Sequence, residues 1–415
     1  MDRARGPLWK RLLGFTLLPA IAAVSPLLVL PVVSRIAGPG GWASAVAGES
    51  VGTVAAIAVG YGWTAIGPAL VSIAADDANR GRIYRESLVV RLLIAVLALP
   101  IMSVVCWLIA HPGSEWLSVL MGLQGALIAL TFTWYSAGIG DARSIMFYDA
   151  IPRLVVAVAA AIVIAQIGVV ELYPLSGIAV TLVGTGFFTA RELRRAHAPW
   201  PTLRELPALF HAGAPVALND AALGGYSSVP TPLVNVTTPP SVASGFASAD
   251  KMLKLGQFLP LTLANALQAW IGEVHGHARH RRMSRALLAH GIFGGLGLIV
   301  LGGFGSWASL LLFGELAQAS SGVCVLLGVT FAFFSIRTSM TRHVLFPAGQ
   351  TRAVMRATLA ATAIGVPLMI GLAMAFGPLG AAAGYATTEA LATLLLVRRS
   401  REAMRALTEE PPIEL

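Results

Sequence analysis

The run RLLIAVLALPIMSVVCWLIA, residues 91–110, holds one charged residue in twenty positions. An α-helix rises about 1.5 Å per residue, so twenty apolar residues cross roughly 30 Å of hydrocarbon. Comparable apolar blocks fall at 12–36, 42–74, 87–110, 116–139, 147–168, 172–190, 206–236, 241–271, 286–313, 320–345, 354–376 and 379–397. These predict an all-α integral membrane protein of about twelve transmembrane helices. Composition agrees. Of 415 residues, 56% are hydrophobic and only 12% charged, whereas a soluble domain carries about a quarter charged. The second, seventh and eighth blocks exceed the minimum span and predict tilt or breaks.

Loop charge tests the count, because Lys and Arg in short loops mark the cytoplasmic side. The segments 37–41, 111–115, 169–171, 237–240, 314–319 and 377–378 contain neither residue. The alternate segments hold twenty-two, from Arg3, Arg5, Lys10 and Arg11 through Arg80, Arg143, Arg191, Arg279 and Arg352 to Arg405. A miscounted span would invert every later loop. The alternation therefore predicts twelve spans with both termini in the cytoplasm. The basic start resembles a signal peptide, but no small-residue cleavage site follows it, and the first span is expected to be retained.

The net charge of +9 is dispersed among loops and forms no stripe with interleaved aromatics, so no nucleic-acid partner is expected. Cys106 and Cys324 lie inside spans, as expected for buried thiols without disulfide or metal.

Two halves are discernible. Ala43-Ser44 and Ala47 recur as Ala243-Ser244 and Ala247, each run followed by an acid, Glu49 or Asp250. The sixth and twelfth spans open on Pro174-Leu175 and Pro378-Leu379 and end in Arg-rich segments. The expected division is an N-terminal bundle at 1–196, a cytoplasmic linker at 197–205 and a C-terminal bundle at 206–415. Six helices per half, both starting inside, imply parallel repeats.

The segments Phe346-Pro347-Ala348-Gly349-Gln350, Gly377-Pro378-Leu379-Gly380 with Glu389, Ala247-Ser248-Ala249-Asp250-Lys251 and Gly38-Pro39-Gly40-Gly41-Trp42 resemble motifs of bacterial polysaccharide flippases. These are the Wzx-type members of the multidrug, oligosaccharidyl-lipid and polysaccharide transporter superfamily. The last motif departs from the usual form, with Gly40-Gly41-Trp42 where an acid and Phe are common. The resemblance implies two six-helix, MATE-like bundles around a central cavity lined by the first, second, seventh and eighth helices. It implies an undecaprenyl-type lipid-linked glycan as cargo, the bacterial cytoplasmic membrane as location, and polysaccharide-assembly proteins as possible partners beside membrane lipid.

A charge at the centre of a membrane helix costs at least about 2.5–3.5 kcal/mol and calls for a partner or a wet cavity. In the eighth span Asp250, Lys254, Gln257, Leu261, Asn265 and Gln268 recur at helical spacing on one face, with Lys251 beside them. Two lysines suit a pyrophosphate or anionic sugar; alternatively Asp250 and Lys254 neutralise each other. The seventh span carries Asn219-Asp220, Gly224-Gly225 and Pro215, Pro230 and Pro232, and the first has Pro19, Pro26 and Pro31 with an outer Arg35. Both are expected to be interrupted, since broken helices in corresponding positions point to a transport site. The substrate-binding candidates are Lys251, Lys254, Arg337, Gln257, Asn219 and Arg35. The ion-coupling candidates are Asp220, Glu49, Asp250 and Glu389, for H⁺ or Na⁺; Glu389 could instead partner Arg337. Asp149 and Arg153 read as a structural pair, and Arg91 and Arg342 as residues near the inner surface.

No cofactor and no enzyme activity are expected. The loops are short and lack paired carboxylates or phosphate-cradling glycines, and His275, His277 and His280 do not share a helix face. The competing expectation is a small-molecule or drug:cation antiporter of the same superfamily, or a major-facilitator transporter. The loop Asp76-Asp77-Ala78-Asn79-Arg80-Gly81-Arg82 has the wrong spacing for the latter.

The topology is testable by cysteine labelling. In a chain with Cys106 and Cys324 replaced by Ala, His111→Cys and Thr238→Cys should react with a membrane-impermeant maleimide added to intact cells, and Arg143→Cys and Arg204→Cys only after lysis. The reverse pattern would refute the orientation.

Overall fold

The computed structural model describes residues 25–196 and 198–409, which are helical with no strand among them. Eight helical stretches are long and apolar enough to cross a membrane. Two of these contain a break at a single glycine. Pro26–Gly60 leaves helical geometry at Gly38 (φ 67°, ψ 179°), and Thr351–Glu409 does so at Gly377 (φ 58°, ψ −135°). Each of these glycines is followed by a proline, suited to opening the next helix. Beyond Gly377 the chain doubles back. A Cβ at Gly380 would lie 1.8 Å from the Leu372 carbonyl oxygen, one at Gly384 2.4 Å from Met369 Cα, and one at Gly365 2.1 Å from Thr388 Oγ1. Residues stepping away from Gly377 on either side thus meet, as in an antiparallel hairpin.

The seventh and eighth spans are composite, Leu206–Ser228 with Pro230–Thr237 and Pro240–Gly256 with Phe258–Gly272. Counted with the two glycine breaks, they bring the architecture to the expected twelve spans. The first begins in residues outside those described.

Lipid provides no hydrophobic drive between helices, so close backbone packing does much of the work. In the first half a Cβ on Gly48 would fall 2.1 Å from the Ser118 carbonyl oxygen, and one on Gly52 2.2 Å from that of Gly122. The numbers rise together, so the second and fourth spans run in the same direction, as their even count requires. The third runs against them, with Cys106 near Gly48 and Ala95 packed on Val59.

The internal repeat has a structural counterpart. Buried Ser44 accepts from the His111 N–H at 2.9 Å, tying the second span to the loop between the third and fourth. Buried Ser244 donates to the Leu316 carbonyl at 2.7 Å, tying the eighth span to the loop between the ninth and tenth. The chain divides into two compact units at Gly224/Gly225. That boundary falls inside helix Leu206–Ser228, downstream of the linker expected at 197–205.

Arg91, near the start of its span, is turned into the protein. It is fully buried, donating through Nε to the Ser87 carbonyl at 3.3 Å and through Nη1 to those of Ala129 at 2.8 Å and Thr131 at 3.0 Å. The fourth span breaks there, between Glu115–Leu127 and Thr133–Gly138, with a 3₁₀ turn at Ile128–Leu130. A guanidinium with five N–H donors satisfies carbonyls that lipid cannot, and it also stacks over Trp134 at 5.5 Å.

Losing one partner of a buried hydrogen bond costs about 1–3 kcal/mol. Arg91→Leu orphans two carbonyls at the break and should lower unfolding free energy by about 2–6 kcal/mol in detergent, whereas the exposed Arg191→Leu should leave it near wild type. Equal melting curves would refute the staple.

Candidate functional site

In the second unit the eighth span is divided at half-buried Gln257, whose backbone keeps helical angles (φ −62°, ψ −19°) and whose N–H donates to the Leu253 carbonyl at 2.9 Å. Ahead of it, fully buried Asp250 accepts at Oδ2 from Thr231 Oγ1 at 2.6 Å and from Lys254 Nζ at 2.7 Å. The acid-first i, i+4 spacing thus forms its pair, and Lys254 keeps 28% of its side chain exposed. Lys251 is itself buried, at 6% exposure. Lys254 thus pairs with the Asp250 carboxylate, and Lys251 lies about one helical turn before Lys254 on the same helix. Past Gln257 the predicted polar face opens outward, with Asn265 exposed. Asn265 accepts from Arg342 Nη1 at 2.5 Å in an exposed bond.

Arg337 and Glu389 meet, although 52 residues separate them. Arg337 Nε donates to Glu389 Oε1 at 2.5 Å, and Tyr226 donates its hydroxyl to Oε2 at 2.5 Å. All three side chains are buried, and Tyr385 packs edge-on against Tyr226 at 6.1 Å. Of the two roles left open for Glu389, the structure supplies the Arg337 partnership. Both carboxylate oxygens and the guanidinium are engaged by protein.

In the first unit the second span is broken at Tyr61-Gly62, whose φ angles of 45° and 76° are both left-handed. Tyr61 is the one non-glycine residue with positive φ among those described. Its hydroxyl donates to the Phe210 carbonyl at 3.0 Å, and a Cβ on Gly213 would meet its ring at 2.8 Å. The seventh helix thereby turns Gly213, Val216, Asp220 and Gly224 toward the second span, at spacings that share one face. A cavity of about 420 Å³ opens there, lined by Thr53, Ile57, Thr64, Ala129, Asp220 and Gly224 among others. Ala129 belongs to the break in the fourth span.

The second and eighth spans, which occupy corresponding positions in the two halves, are thus both divided, as are the fourth and the seventh. The expected interruption of the seventh occurs at Val229. That of the first does not occur within the described part, where helix Pro26–Gly60 starts at Pro26 and continues through Pro31. Its Pro19 lies outside the described residues. Gly60-Tyr61-Gly62 followed by Pro68 was the available signal for the second-span break, and apolar flanks mask it.

The remaining candidates lie apart. Glu49 is half-buried on the second span, its carbonyl accepting from Thr53 Oγ1 at 2.9 Å. Arg35 is exposed and donates back to the Pro31 carbonyl at 3.0 Å. The Asn219 side chain lies outside the described residues. Asp149 and Arg153 form their pair at 2.6 Å. Sequence inspection passed over His290 and His343, buried with ring centroids 5.7 Å apart; a π-helical turn at Met340–Leu345 carries His343.

No family model matches the sequence. Among curated proteins, a Shigella dysenteriae protein described as "Putative O-antigen transporter" is 20% identical over 378 residues, covering 90% of this chain and 95% of its own length. Among solved structures, the inward closed conformation of the lipid II flippase MurJ superposes with a TM-score of 0.71 at 11% identity, covering 94% of this chain and 90% of that one. An inward-facing multidrug resistance MATE family transporter of the MOP superfamily gives 0.61 at 15% identity, covering 94% and 99%. The chain shares the fold of these two solved structures.

The buried Arg337–Glu389 pair gives a sharp test. Removing one partner of a buried ion pair costs about 3–5 kcal/mol, whereas replacing both with apolar groups is often near neutral. Arg337→Leu and Glu389→Leu should each destabilise the protein by that amount in thermal unfolding, and the double variant by less than either. Additive losses would contradict the pairing.

Proposed function

We propose that this protein carries a prenyl-pyrophosphate-linked oligosaccharide from the inner to the outer leaflet of a bacterial cytoplasmic membrane, by ion-coupled alternating access. The supporting relative is described as an O-antigen transporter and aligns over nearly its whole length. A lipid II flippase has the same fold. The observation that carries the proposal is the pair Lys251 and Lys254 ahead of the division in the eighth span. Ammonium groups offer point charges and rotatable donors to a pyrophosphate, and the lipid tail can remain in the bilayer while the headgroup crosses. Asp250 holds Lys254 in place. Asp220, in its separate cavity, supplies the carboxylate that a coupling cation needs.

A second reading, a cation-exporting antiporter, draws on that same acid-lined cavity and on the MATE likeness. It leaves the paired lysines without a task, since an organic cation is repelled by them.

Proteoliposomes loaded on one leaflet with a fluorescent undecaprenyl-pyrophosphate oligosaccharide decide between them. Lys251→Ala and Lys254→Ala should slow flipping at least about tenfold, the loss of one charge-assisted contact. Asp220→Asn should keep downhill exchange while losing acceleration by an imposed proton or sodium gradient. Full activity in all three variants, or efflux of organic cations without flipping, refutes the proposal.

A further inference from the structure

The ninth span, Gly276–Phe313, is a single helix of 38 residues. Its exposed positions follow one face: Leu288, Ile292, Leu296, Ile299, Val300, Phe304, Trp307 and Leu311. From Leu288 to Leu311 the helix rises about 35 Å, close to the roughly 30 Å of a bilayer core. The same face continues toward the cytoplasm with Arg285 and Arg281, both exposed. They lie about 5 and 10 Å below Leu288, at headgroup depth. The eleventh and twelfth spans repeat the pattern, with exposed Arg352 and Arg356 below exposed Ile364 and with Arg398 and Arg401 below Leu394.

These ends are neighbours. Met283 and Ala286 pack with Ala403 and Met404, and Val354 and Ala357 pack with Leu287, Leu396 and Val397. Their charge is largely unbalanced. Glu402 pairs with Arg398 and Arg399, and Glu273 with Arg282. Arg281, Arg285, Arg352, Arg356 and Arg401 have no ion pair among the described residues. The first unit leaves Arg143, Arg191, Arg194 and Arg204 without an ion pair among the described residues but engages the arginines of its Asp77–Ile109 helix end. Arg82 pairs with Glu86 and Glu205, Arg80 and Arg195 pair with Asp77, and Arg85 is bonded to carbonyls. The Thr202 backbone N–H holds Glu205 below the usual carboxylate range, so it stays ionised beside Arg82.

We infer that the cytoplasmic rim of the second unit is a binding site for an anionic phospholipid of the surrounding bilayer, its phosphate on Arg281 and Arg285 and an acyl chain along Leu288, Ile292 and Leu296. Positive loops alone would not select this occupant. The selection comes from unpaired arginines that extend a lipid-facing stripe, because a ligand touching both must have an anionic head and an apolar tail at that depth. A soluble acidic protein has no means of filling the stripe. The inference is independent of the cargo proposed above.

Native mass spectrometry of the delipidated full chain in neutral detergent, titrated with phosphatidylglycerol or phosphatidylcholine, tests it. Wild type should favour phosphatidylglycerol. Each arginine near a membrane surface contributes about fivefold in affinity for anionic lipid, so R281Q/R285Q should lower the preference at least about tenfold. R82Q/R195Q in the first unit, where both arginines are ion-paired, should leave it unchanged. All four residues are exposed, and thermal melting checks that the variants fold. An undiminished preference in R281Q/R285Q overturns the site. Displacement of phosphatidylglycerol by a short-chain polyprenyl pyrophosphate at lower concentration overturns its assignment to bilayer lipid and gives it to cargo.

Discussion

In hydrocarbon no water replaces a backbone hydrogen bond lost where a helix breaks, so irregular backbone survives only where protein or a wet cavity satisfies it. Within the spans of the described residues, the irregular backbone at Ile128–Leu130 and at Tyr61-Gly62 is arranged around that constraint. At the fourth span the Arg91 guanidinium takes two released carbonyls and Thr131 Oγ1 takes a third, that of Ile128. At the second span Gly62 accepts from both Ala65 and Ile66, and Tyr61 is held by the seventh helix. With these obligations met, a cavity can open at the breaks without exposing unsatisfied amides to lipid.

Ionised side chains obey the same rule with larger penalties. The deepest carboxylates, Asp250 and Glu389, each receive a cation and a hydroxyl. Tyr226 and Thr231, which provide those hydroxyls, lie on either side of the interruption in the seventh span, so one short stretch of chain steadies both acids. Arg91 has no carboxylate and relies on carbonyl dipoles, which orient the guanidinium without neutralising it. Bonds of this kind are directional, whereas an ion pair can be shared among several geometries.

Much of this was legible in the amino-acid order, and the boundary between what was and was not is physical. The twelve spans follow from hydropathy and alternating arginines, because insertion responds to exactly those local quantities. Gly38-Pro39 and Gly377-Pro378 announce their breaks, and Asp250 and Lys254 announce their pair, because each involves neighbours along the chain. The Arg337–Glu389 pair stood as one of two roles for Glu389, since helix packing and not spacing joins residues 52 apart. The inward turn of Arg91 was not legible, because an arginine near the start of a span looks able to reach the surface; only the carbonyls of a distant helix reveal why it stays inside. A tilt or break in the second span was expected from its length, but its place at Tyr61-Gly62 was hidden in an apolar run.

The hairpin at Gly377 bears on how the protein is made. The eleventh and twelfth spans meet at one glycine and one proline, with no linker between them. A ribosome-bound chain inserting helices one at a time would have to leave the first of the two waiting with its partner tethered at zero length. Gly365, Gly380 and Gly384 interlock the pair from the turn onward, so the two helices are suited to enter the bilayer together, as a preformed wedge whose tip carries almost no polar chain.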